Sequence, residues 1–276
     1  MGKEKVIVIG PGHSVNAKAE RILEKRGEYD VLAFQRSFPH CEIKFGITPD
    51  YWTAADPYAF LEGLQYIIEN KKKTSITILL PSIFGKDLNE YRKYCGTSPI
   101  MRAPNGWEIL KESLNIAKDY CNIEEIPTTS TKFIKLHSKD RDLKDNSNIF
   151  GSQAYYRFMC GQVLFGSVPF DSESVIGEMY KWGLENKITS SVLPICYHRK
   201  YKEVYITGFD LFGPRFYNED SRHPWGEGEN LTRALQIPLD AVRQWSDWSD
   251  IHNMAIYNIS NKDETLLSRI LETKEI

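Results

Sequence analysis

Apolar and polar positions along the chain alternate between two periods. Short β-branched runs of strand length are followed by longer stretches whose apolar residues recur at helical spacing. Lys5-Val6-Ile7-Val8-Ile9 reads as the first strand. It breaks at Gly10-Pro11-Gly12-His13-Ser14 and feeds a helix-compatible stretch from Val15 to Arg26. Tyr29 to Phe34 reads as the second strand and Ile43 to Ile47 as the third, ending at Thr48-Pro49-Asp50-Tyr51-Trp52. Residues 57–70 place Phe60, Leu61, Leu64, Ile67 and Ile68 on one helical face. Ser75 to Leu80 is a further strand, stopped by Pro81. In the second half, 172–184 and the stretch from Thr189 to about Arg199 read as helices, and Tyr201 to Thr207 as a strand. A helix over 231–248 must be interrupted or restarted at Pro238. Met254 to Ile259 reads as a last strand, and 263–271 as a closing helix.

Strands separated by helices predict an α/β, Rossmann-like fold, with a mainly parallel sheet and helices on both faces. Residues 1–276 then form a single domain. Within it, the polar and irregular block 85–150 reads as an insertion, a lid or a small subdomain.

Composition narrows the picture only slightly. The chain has 276 residues, 41% hydrophobic and 26% charged, with a formal net charge of -2. That balance argues against nucleic acid as the partner. Five cysteines without a C-x-x-C pair suit reduced thiols in a cytoplasm better than a disulfide or zinc framework. The chain opens directly into a core strand, so no leader is expected, and no run is long and apolar enough to span a bilayer.

Candidate chemistry gathers where such a sheet binds ligands, at the carboxyl ends of its strands. Gly10, Gly12 and Ser14 could let a backbone turn approach a phosphate; a tight turn with no ligand is the plain alternative. His13 reads as a loop side chain. Gln35, Asp50 and Ser260-Asn261 also follow expected strands. Thr189-Ser190-Ser191, with Lys187 just before it, suits a second anion site or ordinary capping. Gly208-Phe209-Asp210 sets a carboxylate at a strand end, for a ribose hydroxyl or simply for the turn. Tyr217 is placed to donate to a phosphate. His223, in a loop rich in glycine and proline, is the candidate general base. Asp140-Arg141-Asp142 lies in a charged loop and reads as a solvated turn, so no metal site is expected.

Gly-Pro-Gly-His-Ser at 10–14, Tyr-Asp-Val-Leu-Ala-Phe-Gln-Arg at 29–36 and Thr-Pro-Asp-Tyr-Trp at 48–52 resemble, in order and spacing, the bacterial sialyltransferases of glycosyltransferase family 42. That family has Gly-x-Gly-Pro-Ser, a strand ending in asparagine, and Thr-Pro-Asn. Lys187 to Val192 is similar to its Arg-x-Thr-Ser-Gly-Val segment, and Lys202 to Asp210 to its Lys-Glu-Ile-Tyr-Leu-x-Gly-Ile-Asp. Ile256-Tyr257-Asn258-Ile259-Ser260 is similar to its last strand. The likeness covers both ends of the chain and skips roughly residues 80–180.

The resemblance implies inverting, metal-independent transfer of an acidic sugar, sialic acid or the related octulosonic acid Kdo. The donor is a CMP-sugar, the acceptor a glycan or lipid-linked glycan, and no further cofactor is needed. It implies that Gly10, Gly12 and Ser14 cradle the phosphate, with Gln35, Asp50, Thr189, Ser190, Gly208 and Asp210 also around the donor. Lys187 stands near them, Tyr217 supports the leaving phosphate, and His223 deprotonates the acceptor. A cytoplasmic enzyme is implied, peripheral to the inner membrane face or free of it, and able to form a homo-oligomer. This chain departs at Phe212, where the family has a tyrosine, at Gln35 and Asp50, which replace asparagines, and at Lys187, which replaces an arginine and loses its bidentate fork. Two other readings stand beside it. One is a pterin-type diphosphokinase using magnesium-ATP, with Asp50, Asp56 and Asp210 as metal ligands; the other is a non-catalytic nucleotide-binding homologue.

Overall fold

A computed structural model describes residues 3–54, 57–70, 74–81, 105–126, 188, 192–210, 213–218, 239, 242–243, 245–247 and 249–276. Its centre is a seven-stranded sheet in which every neighbouring pair is parallel. The strands are β1 (Lys5–Ile9), β2 (Asp30–Phe34), β3 (Tyr51–Thr53), β4 (Thr77–Pro81), β5 (Asn122–Ile126), β6 (Glu203–Thr207) and β7 (Ala255–Asn258). Their order across the sheet is β5-β4-β3-β2-β1-β6-β7. The chain steps outward from β1 to β5, then returns to lay β6 against the free side of β1. The order therefore reverses between β1 and β6, and this is the topological switch point.

The period of two puts alternate residues of each strand on opposite faces. Ile7, Ile9, Val31 and Ala33 join one buried cluster; Val6, Val8, Leu32 and Phe34 join the other. The first cluster is covered by α1 (Ala19–Glu24), α2 (Ser37–Phe45), α3 (Pro57–Asn70) and α4 (Gly106–Ala117), through Ile22, Cys41, Phe60, Leu64 and Leu110. The second is covered by α5 (Leu193–His198) and by helical residues between 239 and 251, through Leu193, Ile195, Val242 and Trp245. Helices on both faces explain why the inner strands are apolar on both sides.

Several expected elements move. Ile43 to Ile47 is no strand: Cys41 and Phe45, one helical turn apart, pack inward from α2, which is kinked at the extended Phe38 (φ -98°, ψ 134°), while Ile43 is 64% exposed. Gly46 ends that helix in the left-handed conformation, at φ 70°. The third strand is instead the three-residue β3. The stretch after β1 begins with a 3-10 turn at His13–Val15, and α1 starts only at Ala19. The closing helix shrinks to a 3-10 turn, Leu266–Arg269, with Thr265 accepting the Leu267 N–H at 3.2 Å. Pro81 ends β4 from inside, paired with Ile126. In the block 85–150, residues 106–126 supply α4 and β5 to the main sheet. The rest of that block and the expected helix over 172–184 lie outside the described residues. The described residues between 239 and 251 are helical, and Pro238 with the stretch before it lies outside the described residues.

Candidate functional site at the switch point

The carboxyl ends of β1 and β6 are laced together by backbone. Gly10 N–H donates to Thr207 O at 2.8 Å and Gly12 N–H to Gly208 O at 2.6 Å. These contacts leave no room for a Cβ. One on Gly12 would come within 2.4 Å of the Asp210 carboxylate; one on Gly208, at φ +74°, would come within 2.3 Å of Gly10 O. The glycines of both loops are thus required first by each other.

Asp210 fills the turn that sequence reasoning offers to a phosphate. Ser14 donates to it twice, from the backbone N–H to Oδ2 at 2.9 Å and from Oγ to Oδ1. Ser260 Oγ lies 2.8 Å from Ser14 Oγ, Thr207 Oγ1 lies 3.0 Å from Ser260 Oγ, and Gly208 N–H donates to Ser14 Oγ at 3.0 Å. Ser14 is fully buried and Asp210 nearly so. Burial pushes the Asp210 carboxyl above the ordinary aspartate range; the Ser14 hydrogen bonds and the nearby His13 pull it part of the way back. Gly10, Gly12, Ser14, Gly208 and Asp210 are therefore together, as expected. Their mutual bonds make them the floor of the site, and the Ser14 donors are already engaged.

His13 is the residue whose role sequence reading missed. Its Nδ1 stands 3.0 Å from Asp210 Oδ2. The available signal was weak: a histidine in the loop after β1 and an aspartate after β6 become neighbours only if those strands pair. Segment 213–218 folds over the same loop. Phe216 N–H donates to Pro11 O at 3.1 Å, and Arg215 bridges to Gly12. Tyr217 thereby arrives beside the β1 loop, stacked on His40 of α2 with ring centroids 4.0 Å apart. Desolvation raises the Tyr217 phenol and lowers His40, the latter partly offset by Glu62. Lys44 Nζ donates to Phe216 O at 2.5 Å and fixes the segment to α2.

Gln35 follows β2 at the same edge. Trp52 Nε1 donates to its carbonyl at 2.9 Å, and its N–H donates to Thr53 O at 2.9 Å. These bonds hold it at φ 58°, where non-glycine residues are uncommon. Its side-chain Nε2 is buried with no hydrogen-bond partner among the described residues.

Asp50 is a correction. It precedes β3 instead of following a strand, so it lies at the amino edge of the sheet. There its Oδ2 accepts the Val31 N–H at 2.7 Å and its Oδ1 pairs with Arg26 at 3.2 Å. A five-residue strand separates the two edges by ~17 Å, too far for Asp50 and Asp210 to share one cation. Among the described residues no group of His, Cys, Asp and Glu could hold a metal ion. Lys187, Thr189, Ser190, Ser191, Phe212, His223, Asp56 and the Asp140-Arg141-Asp142 run lie outside the described residues. Among the described residues no helix is long and apolar enough to cross a membrane. Compared with known proteins, the chain matches no family model, no curated protein and no solved structure.

Proposed function

We propose that the chain is a nucleotide-sugar glycosyltransferase that moves an acidic sugar, sialic acid or Kdo, from a CMP donor to a glycan hydroxyl with inversion. The observation that supports this is convergence. The loops at 10–14 and 208–210 carry the resemblance to the sialyltransferases and are 196 residues apart between Ser14 and Asp210, yet they lock together at the switch point. In open α/β sheets that is where nucleotides bind. Segment 213–218 brings Tyr217 to the same place, and the unpartnered Gln35 amide supplies a donor one strand away.

In this reading, residues 10–14 and 208–210 form the floor under the donor phosphate, and Tyr217 supports the charge that develops on departing CMP. Lys187, Thr189 and Ser190 meet the donor carboxylate or phosphate. His223 takes the proton of the acceptor hydroxyl, which attacks the anomeric carbon from the face opposite CMP. No metal takes part, the acceptor is a glycan or lipid-linked glycan, and the protein works in the cytoplasm or at the inner membrane face. Asp50 has no part in the site.

The test is release of CMP from CMP-sialic acid and CMP-Kdo in EDTA, by the wild type and by His223→Ala. Release by the wild type that falls at least ~100-fold in the variant supports the reading. Release from neither donor, or equal rates in both proteins, overturns it and favours a nucleotide-binding module without transfer activity.

A further inference from the structure

His13 is the ionisable side chain of the loop after β1, and it is held from two directions. On one side its Nδ1 lies 3.0 Å from Asp210 Oδ2. Asp210 cannot swing away, because Ser14 grips both carboxylate oxygens and Ser260 and Thr207 back Ser14. On the other side stands Gly213, at φ +73°, where a Cβ would approach the imidazole to 2.9 Å. Three-quarters of the His13 side chain is buried between them, and a quarter is open at the switch point. A histidine oriented by a carboxylate that is itself pinned is a preorganised acid–base group.

Asp210 lies on the Nδ1 side of the ring, so the nitrogen that faces away from it, toward an arriving ligand, is Nε2. A phosphate arriving there places the ring between two anions, and opposite charges on both sides favour its cationic form. In that form it gives a charge-assisted hydrogen bond. We propose that His13, oriented by Asp210, binds the phosphate of the nucleotide at the switch point and protonates it as it leaves. This inference rests on the nucleotide-sugar reading above. In the transfer step the bond between the anomeric carbon and the phosphate oxygen breaks, and its electron pair stays on that oxygen. The Nε2 proton of His13 moves to the oxygen, leaving a neutral imidazole. The acceptor oxygen forms the new bond to carbon, and its proton passes to His223. Asp210 is a positioning residue, since it touches His13 and not the ligand.

The experiment is calorimetric titration of CMP and cytidine, with inorganic phosphate as a third probe. It uses the full chain in EDTA, as wild type, His13→Ala and His13→Gln. We expect CMP affinity to fall about tenfold or more in His13→Ala, with cytidine affinity unchanged. The neutral donor of His13→Gln restores part of the loss. Inorganic phosphate that weakens alongside CMP shows the same contact with a free anion. Equal loss for CMP and cytidine, or no loss for either, overturns the role of His13. A wild type that binds CMP no better than cytidine overturns the nucleotide reading itself, and the role of His13 with it. If His13→Ala does not fold, imidazole-labelled wild type decides by nitrogen NMR. A second ring proton on His13 when CMP is added supports the proposal, and an unchanged ring contradicts it.

Discussion

The two edges of the sheet bury acids in different ways. At the amino edge Asp50 pairs with Arg26 and accepts the Val31 N–H, while Asp30 accepts the Tyr201 hydroxyl at 2.7 Å with Lys3 at 3.6 Å. Fixed cations answer the charge there, and the arrangement ties strands and helices together. At the carboxyl edge Asp210 is met by an N–H, a hydroxyl and an imidazole. Its burial pushes the carboxyl up, whereas Glu203 at the start of β6 is drawn down, first by the Tyr205 hydroxyl and then by Lys5. One edge spends its charges on itself; the other keeps a carboxylate and a histidine poised at the place where the strand order reverses. That difference, more than the glycines, is why the proposed function is assigned to the carboxyl edge.

Glycine substitutions give the largest contrast. Gly208→Ala combines a left-handed backbone with a 2.3 Å overlap on Gly10 O, and should cost about 3–5 kcal/mol in denaturant unfolding. Gly46, equally left-handed but at the amino edge, has nothing within 4 Å of an added Cβ. Gly46→Ala should therefore cost only about 1 kcal/mol. Similar losses for the two would mean that the β1–β6 loops are not interlocked.

The acids come next. Asp210→Ala strips the partners from the buried Ser14 N–H and should cost about 2–4 kcal/mol. Asp50→Ala, in a site about a third exposed, should cost about 1 kcal/mol. A reversed order in matched urea melts would break the comparison.

The pH dependence of stability has opposite signs at the two edges. With its pKa raised in the native state, Asp210 holds a proton that the unfolded chain has already released. Its contribution therefore declines as pH rises from the ordinary aspartate value to the raised one. Asp210→Asn should flatten that decline in urea melts followed upward from the ordinary aspartate value. Glu203, lowered in the native state, contributes stability that is present above the ordinary glutamate value and lost as pH falls through the lowered one. Glu203→Gln should remove that acid-side loss. The smallest effect belongs to Gly27→Ala, where a Cβ meets nothing within 4 Å; its unfolding free energy should stay within about 0.5 kcal/mol of the wild type.

Most of the sheet is legible in the chain, because β1, β2, β4, β6 and β7 are short, mainly apolar runs close to their expected bounds. β5 is missed because Asn122-Ile123-Glu124-Glu125-Ile126 is a polar edge strand without an apolar run. β3 is missed because Ile43 to Ile47 imitates a strand, although Cys41 and Phe45 already stand one helical turn apart. Asp50 inherits that error: a strand placed eight residues too early turns an amino-edge acid into a carboxyl-edge one. The meeting of the 10–14 and 208–210 loops follows from chain order in a doubly wound sheet. What they do to each other does not, since the grip of Ser14 on Asp210, and of Asp210 on His13, depends on β1 and β6 lying side by side in register.

The most direct test of a nucleotide site at the carboxyl edge is the melting temperature of the wild type with CMP, CDP, UDP, GDP and ATP, each in EDTA and in magnesium. A ligand that binds only the folded state raises that temperature by mass action. The account predicts stabilisation by CMP in EDTA. No shift with any nucleotide, or a shift only with ATP and magnesium, would contradict it.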